Sequence, residues 1–295
     1  MAVPATLVPN RQPASSPPGL FGTRRYTRAR LVVAVVLSLV SLGPLLYMLS
    51  LSFQPAGLGG ILGSGQLLPT HPTVSNYQQA WSENSFGHYF FNSVSVSIAT
   101  VVITVSLASL AAFAFARYKF RFREAIFYFF LASLAVPGLL LLIAQYLLLV
   151  RLHLLDSLEG LTLLYVGGNL PLTIFFLRGF FQSIPPEYEE SLRLDGASTL
   201  QVLTRLIVPL SLPALAVVSI FTFNAAWDEF PAAATMLNTP SNFTLPIGLE
   251  YFIGNHTTSW GPLFAASVIA TVPTIVVFLL ALRWFRSGVS LGGLR

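Results

Sequence analysis

The carboxylates of this chain are few and grouped, so their spacing is the first place to look for chemistry. Glu187, Glu189, Glu190 and Asp195 fall within Pro185-Pro186-Glu187-Tyr188-Glu189-Glu190-Ser191-Leu192-Arg193-Leu194-Asp195-Gly196-Ala197, while Asp228 and Glu229 adjoin in Phe223-Asn224-Ala225-Ala226-Trp227-Asp228-Glu229-Phe230. Catalytic partners are missing around both groups. The histidines, His71, His88, His153 and His256, are widely separated and lack the i,i+4 spacing of a zinc helix, so no metal site is expected. Cysteine is absent, which excludes thiolate zinc sites, cysteine nucleophiles and disulfides. A phosphate-cradling loop needs Gly-x4-Gly-Lys-Ser/Thr, and the only lysine, Lys119, stands in Tyr118-Lys119-Phe120. What remains is recognition rather than bond making.

The first acidic group predicts a short helix. Pro185 and Pro186 suit its start, where a missing N–H costs nothing, and Glu187, Glu189 and Glu190 suit the positive end of the helix dipole. Glu189 and Arg193 stand i,i+4 in the favourable order, which predicts a pair on a solvated helix face. Asp195-Gly196 supplies a turn, and a second helix carrying Leu200, Leu203 and Ile207 follows. The stretch reads as a helix-turn-helix elbow between two very apolar segments.

Those segments decide the class. Of 295 residues, 54% are hydrophobic and only 9% charged, and the mean hydropathy is +0.72; a soluble domain carries about 25% charged residues. A Pro-rich, disordered tail is expected over residues 1–30, a retained first span over 31–53, and a polar, Gly-containing loop over 54–88. The core, 89–283, holds five further apolar runs, at 89–116, 125–150, 160–180, 206–235 and 261–282, each near the 20 residues needed to cross hydrocarbon. Between them lie the elbow loop, 181–205, and a second long loop, 237–260; a tail, 284–295, closes the chain. The predicted fold class is an all-α integral membrane protein with six transmembrane helices.

Basic residues orient it. With the first tail inside, fifteen of the 16 Lys and Arg residues fall on the inner segments and only Arg151 outside, which places both termini and the elbow in the cytoplasm. The net charge of +5 is therefore topological and does not call for nucleic acid. Pro44, Pro137, Pro171, Pro209, Pro213 and Pro273 fall inside spans, more compatible with helices around a path than with a lipid anchor. Ala108, Ala111, Ala112, Ala114 and Ala116 allow close helix packing. Asn169, beside Gly167 and Gly168, is read either as an interhelical hydrogen bond or as the edge of a path. Asn224, Trp227, Asp228 and Glu229 are the remaining path candidates, because carboxylates at membrane depth face a cavity or a partner; an interfacial belt is the competing reading.

The elbow also resembles the Glu-Ala-Ala loop of bacterial ABC-importer permeases, which runs Glu-Ala-Ala, three residues, then Gly; here it reads Glu190-Ser191-Leu192, Arg193-Leu194-Asp195, Gly196-Ala197. Ala111-Ala112-Phe113-Ala114-Phe115-Ala116-Arg117-Tyr118 looks like a span ending in sugar-importer permeases. The Trp227-Asp228-Glu229-Phe230 segment is similar to their Trp-Asn-Glu-Phe, and Thr244-Leu245-Pro246 and Trp260-Gly261-Pro262 fit the same group. The resemblance is to the smaller permease of the maltose-type carbohydrate importers. It implies the type I importer permease fold in a bacterial cytoplasmic membrane. The implied partners are a second homologous permease, a dimer of ATPase subunits that bind the ATP and magnesium this chain does not, an extracellular solute-binding protein, and membrane lipid. Glu187, Glu189, Glu190, Asp195, Gly196 and Ala197 would form the ATPase-coupling helix, and the cargo would be a sugar or a related solute such as glycerol phosphate. An ion-coupled secondary transporter and a membrane scaffold are the alternatives; no internal repeat or mid-span charge supports the first.

Overall fold

Proline placement decides which apolar runs stay helical and which break. The computed structural model describes residues 24–55, 69, 71–82, 85–253 and 260–291. In chain order the helices are α1 (Arg24–Ser52), α2 (Ser75–Ser82), α3 (Phe86–Arg117), α4 (Arg123–Ser133) and, after a 3-10 turn at Gly138–Leu141, α5 (Leu142–Leu152). Then come α6 (Leu158–Ser183), α7 (Glu187–Leu194), α8 (Thr199–Val202), a π-helical turn at Leu203–Ile207, and α9 (Val208–Leu210). The last four are α10 (Leu212–Trp227), α11 (Pro231–Met236), α12 (Leu245–Glu250) and α13 (Trp260–Leu291).

Four helices, α1, α3, α6 and α13, are long and apolar enough to cross a membrane alone. Two bent pairs raise the number to six if each is one span, with the breaks in the third and fifth spans, next to prolines the sequence places there. In the third, α4 and the 138–152 segment meet at 94°. Pro137, extended at ψ 126°, ends the first part because it has no N–H to continue the ladder. In the fifth, the 199–210 and 212–227 segments meet at 81° at Ser211, between Pro209 and Pro213. Pro44, Pro171 and Pro273, in contrast, sit within continuous helices. The fifth span also stops at Trp227 rather than 235, since Pro231 opens a separate helix there.

The chain divides into two compact units, residues 1–47 and 48–295. In the first, helix begins at Arg24, inside the stretch expected to be a tail, and apolar side chains from Leu31 to Leu46 are largely exposed, as a lipid-facing span requires. The expected tail before residue 24 and glycines 57–65 of the expected loop lie outside the described residues. In the second unit, that loop yields α2, which packs on α13 and α3. Asn76 of α2 is fully buried and donates to the Ser52 and Gln54 carbonyls at 2.9 and 2.6 Å. At the other end of the unit, α13 carries helix into the expected 284–295 tail as far as Leu291.

The framework is α3 lying parallel to α6. Ala108 and Ala112 are fully buried and admit close approach, while Ala111, Ala114 and Ala116 are half-buried at the edges. One end of the pair carries a core of Phe113, Phe115, Phe127, Leu177 and Phe181 with Val202, Leu203 and Ile207 of the elbow. The opposite end carries the 237–253 segment, which holds a short turn and α12 where only a loop is expected. From α3, His88 and Asn92 bond the Ser241 carbonyl at 2.7 and 2.9 Å, Asn92 also bonds that of Phe243 at 2.9 Å, and the Ser93 hydroxyl accepts Leu245 N–H at 2.8 Å.

Asp156, between α5 and α6, holds the same segment from the other side. Its carboxylate accepts the backbone N–H groups of Asn238 and Thr239 at 2.8 and 3.0 Å and the Thr239 hydroxyl, while its carbonyl accepts the Asn242 amide at 2.6 Å. Burial alone would raise its pKa; the hydrogen bonds from Thr239, Asn238 and Asn242 outweigh that and bring it from 3.8 to about 2. A depressed folded-state pKa gives stability that is complete above 3.8 and lost as pH falls toward 2. Asp156→Asn, which still tolerates the left-handed φ of 56°, is expected to lower the melting temperature of detergent-solubilised protein at neutral pH. The gap to wild type should shrink as pH is lowered from 3.8 toward 2; a constant gap would remove the charge from the account. Close by, a Cβ at Gly160 would meet the Leu154 carbonyl oxygen at 2.1 Å. Gly160→Ala is therefore expected to destabilise by about 1–3 kcal/mol, read by thermal unfolding.

Candidate functional site

Two places on the α3–α6 framework gather polar side chains. The first is the elbow. Its helix, α7, starts after Pro185-Pro186, and its turn closes with Gly196 at φ 82°, the left-handed geometry expected there. Ser198 then starts α8 with a capping box, in which its hydroxyl accepts Gln201 N–H and the Gln201 side chain accepts Ser198 N–H. Glu187, Glu190, Asp195 and Gly196 are exposed, and Ala197 packs inward on the elbow-end core.

Glu189 departs from the expected i,i+4 pair with Arg193. It is 5% exposed and forms an ion pair with Arg117 at the end of α3, whose Nη2 also donates to the Ile184 carbonyl at 2.8 Å. The reason is helical phase: Glu189 lies on the face of α7 turned to the core, where Arg117 Nε donates to its carboxylate, while Arg193 is exposed. Tyr118 adds a second tie, its hydroxyl donating to Thr199 Oγ1 at 3.0 Å. Beside it, Arg178 of α6 donates to both oxygens of Glu124 at 2.6 and 2.9 Å and covers the Phe127 ring at 3.9 Å. The elbow is thus anchored from within, and its outer side is free. That side presents Tyr188, Leu194 and Leu200, with Leu194 89% exposed.

The second place is a cavity of about 360 Å³ where α5, α6, α10 and α11 meet. Its polar lining is Gln145, Tyr165, Asn169 and Glu229, set among Gly138, Leu139, Leu142, Leu164, Gly168, Ala225 and Ala232. Glu229 follows the end of α10 and caps α11, accepting Ala232 and Ala233 N–H at 2.8 and 3.0 Å and the Tyr165 hydroxyl at 2.7 Å. Asn169 lines this cavity, and its amide donates to the Tyr165 carbonyl of its own helix at 2.8 Å rather than to another helix.

The structure brings Asn169 and Glu229 together and leaves the other path candidates apart. Trp227 is 2% exposed; its ring stacks on Phe223 at 5.5 Å and meets Phe90 edge-on at 5.7 Å, and Nε1 donates to the Ala270 carbonyl at 3.0 Å. No ring face is left for a passenger, so Trp227 is a core residue joining α10, α3 and α13. Asn224 and Asp228 do not line the cavity; Asp228 is exposed at the end of α10, and Asn224 Oδ1 is buried without a partner among the described residues. Nothing in the sequence reading marks Arg117, an inner charge at a span ending, as the elbow anchor, or Gln145 as part of the cavity. The available signal was that Gln145 is the single amide in the 125–150 run.

Known proteins fit this geometry. The sequence profile of the binding-protein-dependent transport system inner membrane component family matches residues 104–290, which include the elbow and the cavity. The chain is 31% identical over 274 residues to a diacetylchitobiose uptake system permease protein of Streptomyces coelicolor, covering 92% of this chain and 90% of that one. It is 30% identical over 276 residues to a galactooligosaccharides transport system permease protein of Bacillus subtilis, covering 92% and 96%. A chain in the crystal structure of a bacterial ABC transporter that imports the acidic polysaccharide alginate shares the fold with a TM-score of 0.78 at 22% identity, over 90% of this chain and all of that one. By the match over residues 104–290 and by these relatives, the chain belongs to the binding-protein-dependent transport system inner membrane component family, as a multi-pass permease subunit.

Proposed function

We propose that this permease forms half of a translocation path for a sugar delivered by an extracellular binding protein, and that its elbow couples the path to ATP hydrolysis on a partner chain. The observation that carries the coupling is the two-sided elbow. Glu189 is held inside by Arg117, while Glu187, Glu190, Asp195, Tyr188, Leu194 and Leu200 face outward. Large apolar side chains exposed beyond the spans require a partner. In this reading the ATPase dimer docks there and binds the ATP and magnesium, a second permease completes the path, and Asn169 and Glu229 border it. Fifteen inner basic residues against one support a cytoplasmic elbow and cytoplasmic termini. The sugar class is supported by the named cargoes of the related permeases.

Affinity purification of the tagged chain from its native membrane tests the assembly. Wild type is expected to bring a second permease and an ATPase, and Glu190→Ala with Asp195→Ala to lose the ATPase alone. A wild-type chain that emerges by itself, with uptake that collapses under an uncoupler while ATP persists, would replace this reading with an ion-coupled transporter. The anchor has its own test. Removing either partner of a buried pair costs about 3–5 kcal/mol, because the other charge stays buried unpaired. Arg117→Ala and Glu189→Ala should each expose the elbow to limited proteolysis and weaken ATPase retention, and the double variant should be no worse than either single one. Additive losses would mean that the two residues act separately.

A further inference from the structure

The cavity between α5, α6 and α10 has a wall whose composition is selective. Glu229 is its only carboxylate, and both of its oxygens are already engaged by Tyr165, Ala232 and Ala233. Gln145 has no hydrogen-bond partner among the described residues, and Asn169 commits one N–H to Tyr165 and keeps its amide oxygen free. Unpaired amides within an apolar span are costly unless water or a passenger meets them. Gly138 and Gly168 complete the wall, and at both a Cβ would find no atom within 4 Å. The volume, about 360 Å³, falls in the range of small-molecule sites, about 300–1,000 Å³.

We infer that this cavity is a carbohydrate subsite belonging to this chain itself, built for a neutral hydroxyl-bearing ring and set against anionic sugars. Gln145 and Asn169 are its hydrogen-bonding pair, and Gly138 and Gly168 provide clearance. The inference rests on the importer reading above. No lysine, arginine or histidine lines the cavity, so a uronate or sugar phosphate would lose its hydration beside a carboxylate with no cation to offset it. Free amides, in contrast, discriminate strongly in favour of hydroxyl partners, because a ligand without them leaves the amides unpaired. This wall is unsuited to the acidic cargo named for the alginate importer that shares the fold.

The absence of native cysteine allows a direct test. Gly168→Cys places one thiol on the wall without crowding it. In vesicles holding the whole importer, a small cationic thiosulfonate is expected to label that thiol, read by the mass of this chain, while Leu110→Cys on the exposed face of α3 stays unlabelled. Maltotriose or diacetylchitobiose, at ten times its half-protecting concentration, should slow labelling roughly tenfold, and a mannuronate trisaccharide at the same concentration should not. Adding Gln145→Leu should abolish protection and leave labelling intact. An unlabelled thiol, protection by no neutral sugar, equal protection by the uronate, or protection that survives both Gln145→Leu and Asn169→Leu would each overturn the subsite while leaving the importer reading in place. A wild-type assembly that lacks an ATPase and imports no sugar would instead remove that reading, and the subsite with it.

Discussion

Ala108 and Ala112 of α3 are fully buried, and what they lack in side chain lets two long helices lie close together and parallel. In hydrocarbon, helices gain little by hiding apolar surface from lipid, so association rests on packing and on the hydrogen bonds that packing brings within reach. The α3–α6 contact supplies both. At one end it presents His88, Asn92, Ser93 and Asp156 to the 237–245 segment, and at the other it presents Arg117 and Arg178 to the elbow and to α4. The elbow and the 237–245 segment are thus held at opposite ends of the same helix pair.

The broken spans follow from a second constraint, that every backbone polar group at membrane depth must be satisfied. Pro137, the Pro209–Pro213 stretch and Pro231 interrupt the helical runs, and the chain restarts with new N-termini whose donors need acceptors. Glu229 meets that need for α11 and holds the Tyr165 hydroxyl as well, so one carboxylate both closes a helix end and forms part of the cavity wall. The irregular backbone and the cavity are two results of the same breaks, since a bent span cannot fill the space that a straight one would.

Much of this was legible in advance. The elbow, its glycine turn and the six apolar runs follow from proline position, dipole-compatible charges and span length, all of them local properties of the chain. The misreadings share a cause. Four residues of helix bring Glu189 and Arg193 together, yet the partner of Glu189 lies 72 residues away, and only tertiary phase shows which face of α7 turns inward. Trp227 beside two carboxylates suggested a binding surface, but an indole can equally fill a core, and Ala270 takes its N–H. Gln145 was visible as a lone amide, although nothing in its own run points to Asn169 on another helix. Both breaks fall within the expected apolar runs, but hydropathy counts residues and is blind to a turn of 94°.

The Arg117–Glu189 tie joins residues from two separate parts of the chain into one inherited unit. An elbow transplanted between permeases at its own loop boundaries would arrive with a carboxylate facing the body and no assurance of a guanidinium to receive it. The natural module boundary therefore lies upstream, before the end of α3, and includes Arg117, Tyr118 and the seat at Ile184. Permeases that diverge in their ATPase partners would be expected to change this buried pair together, or to leave it untouched while the outward face of the elbow drifts.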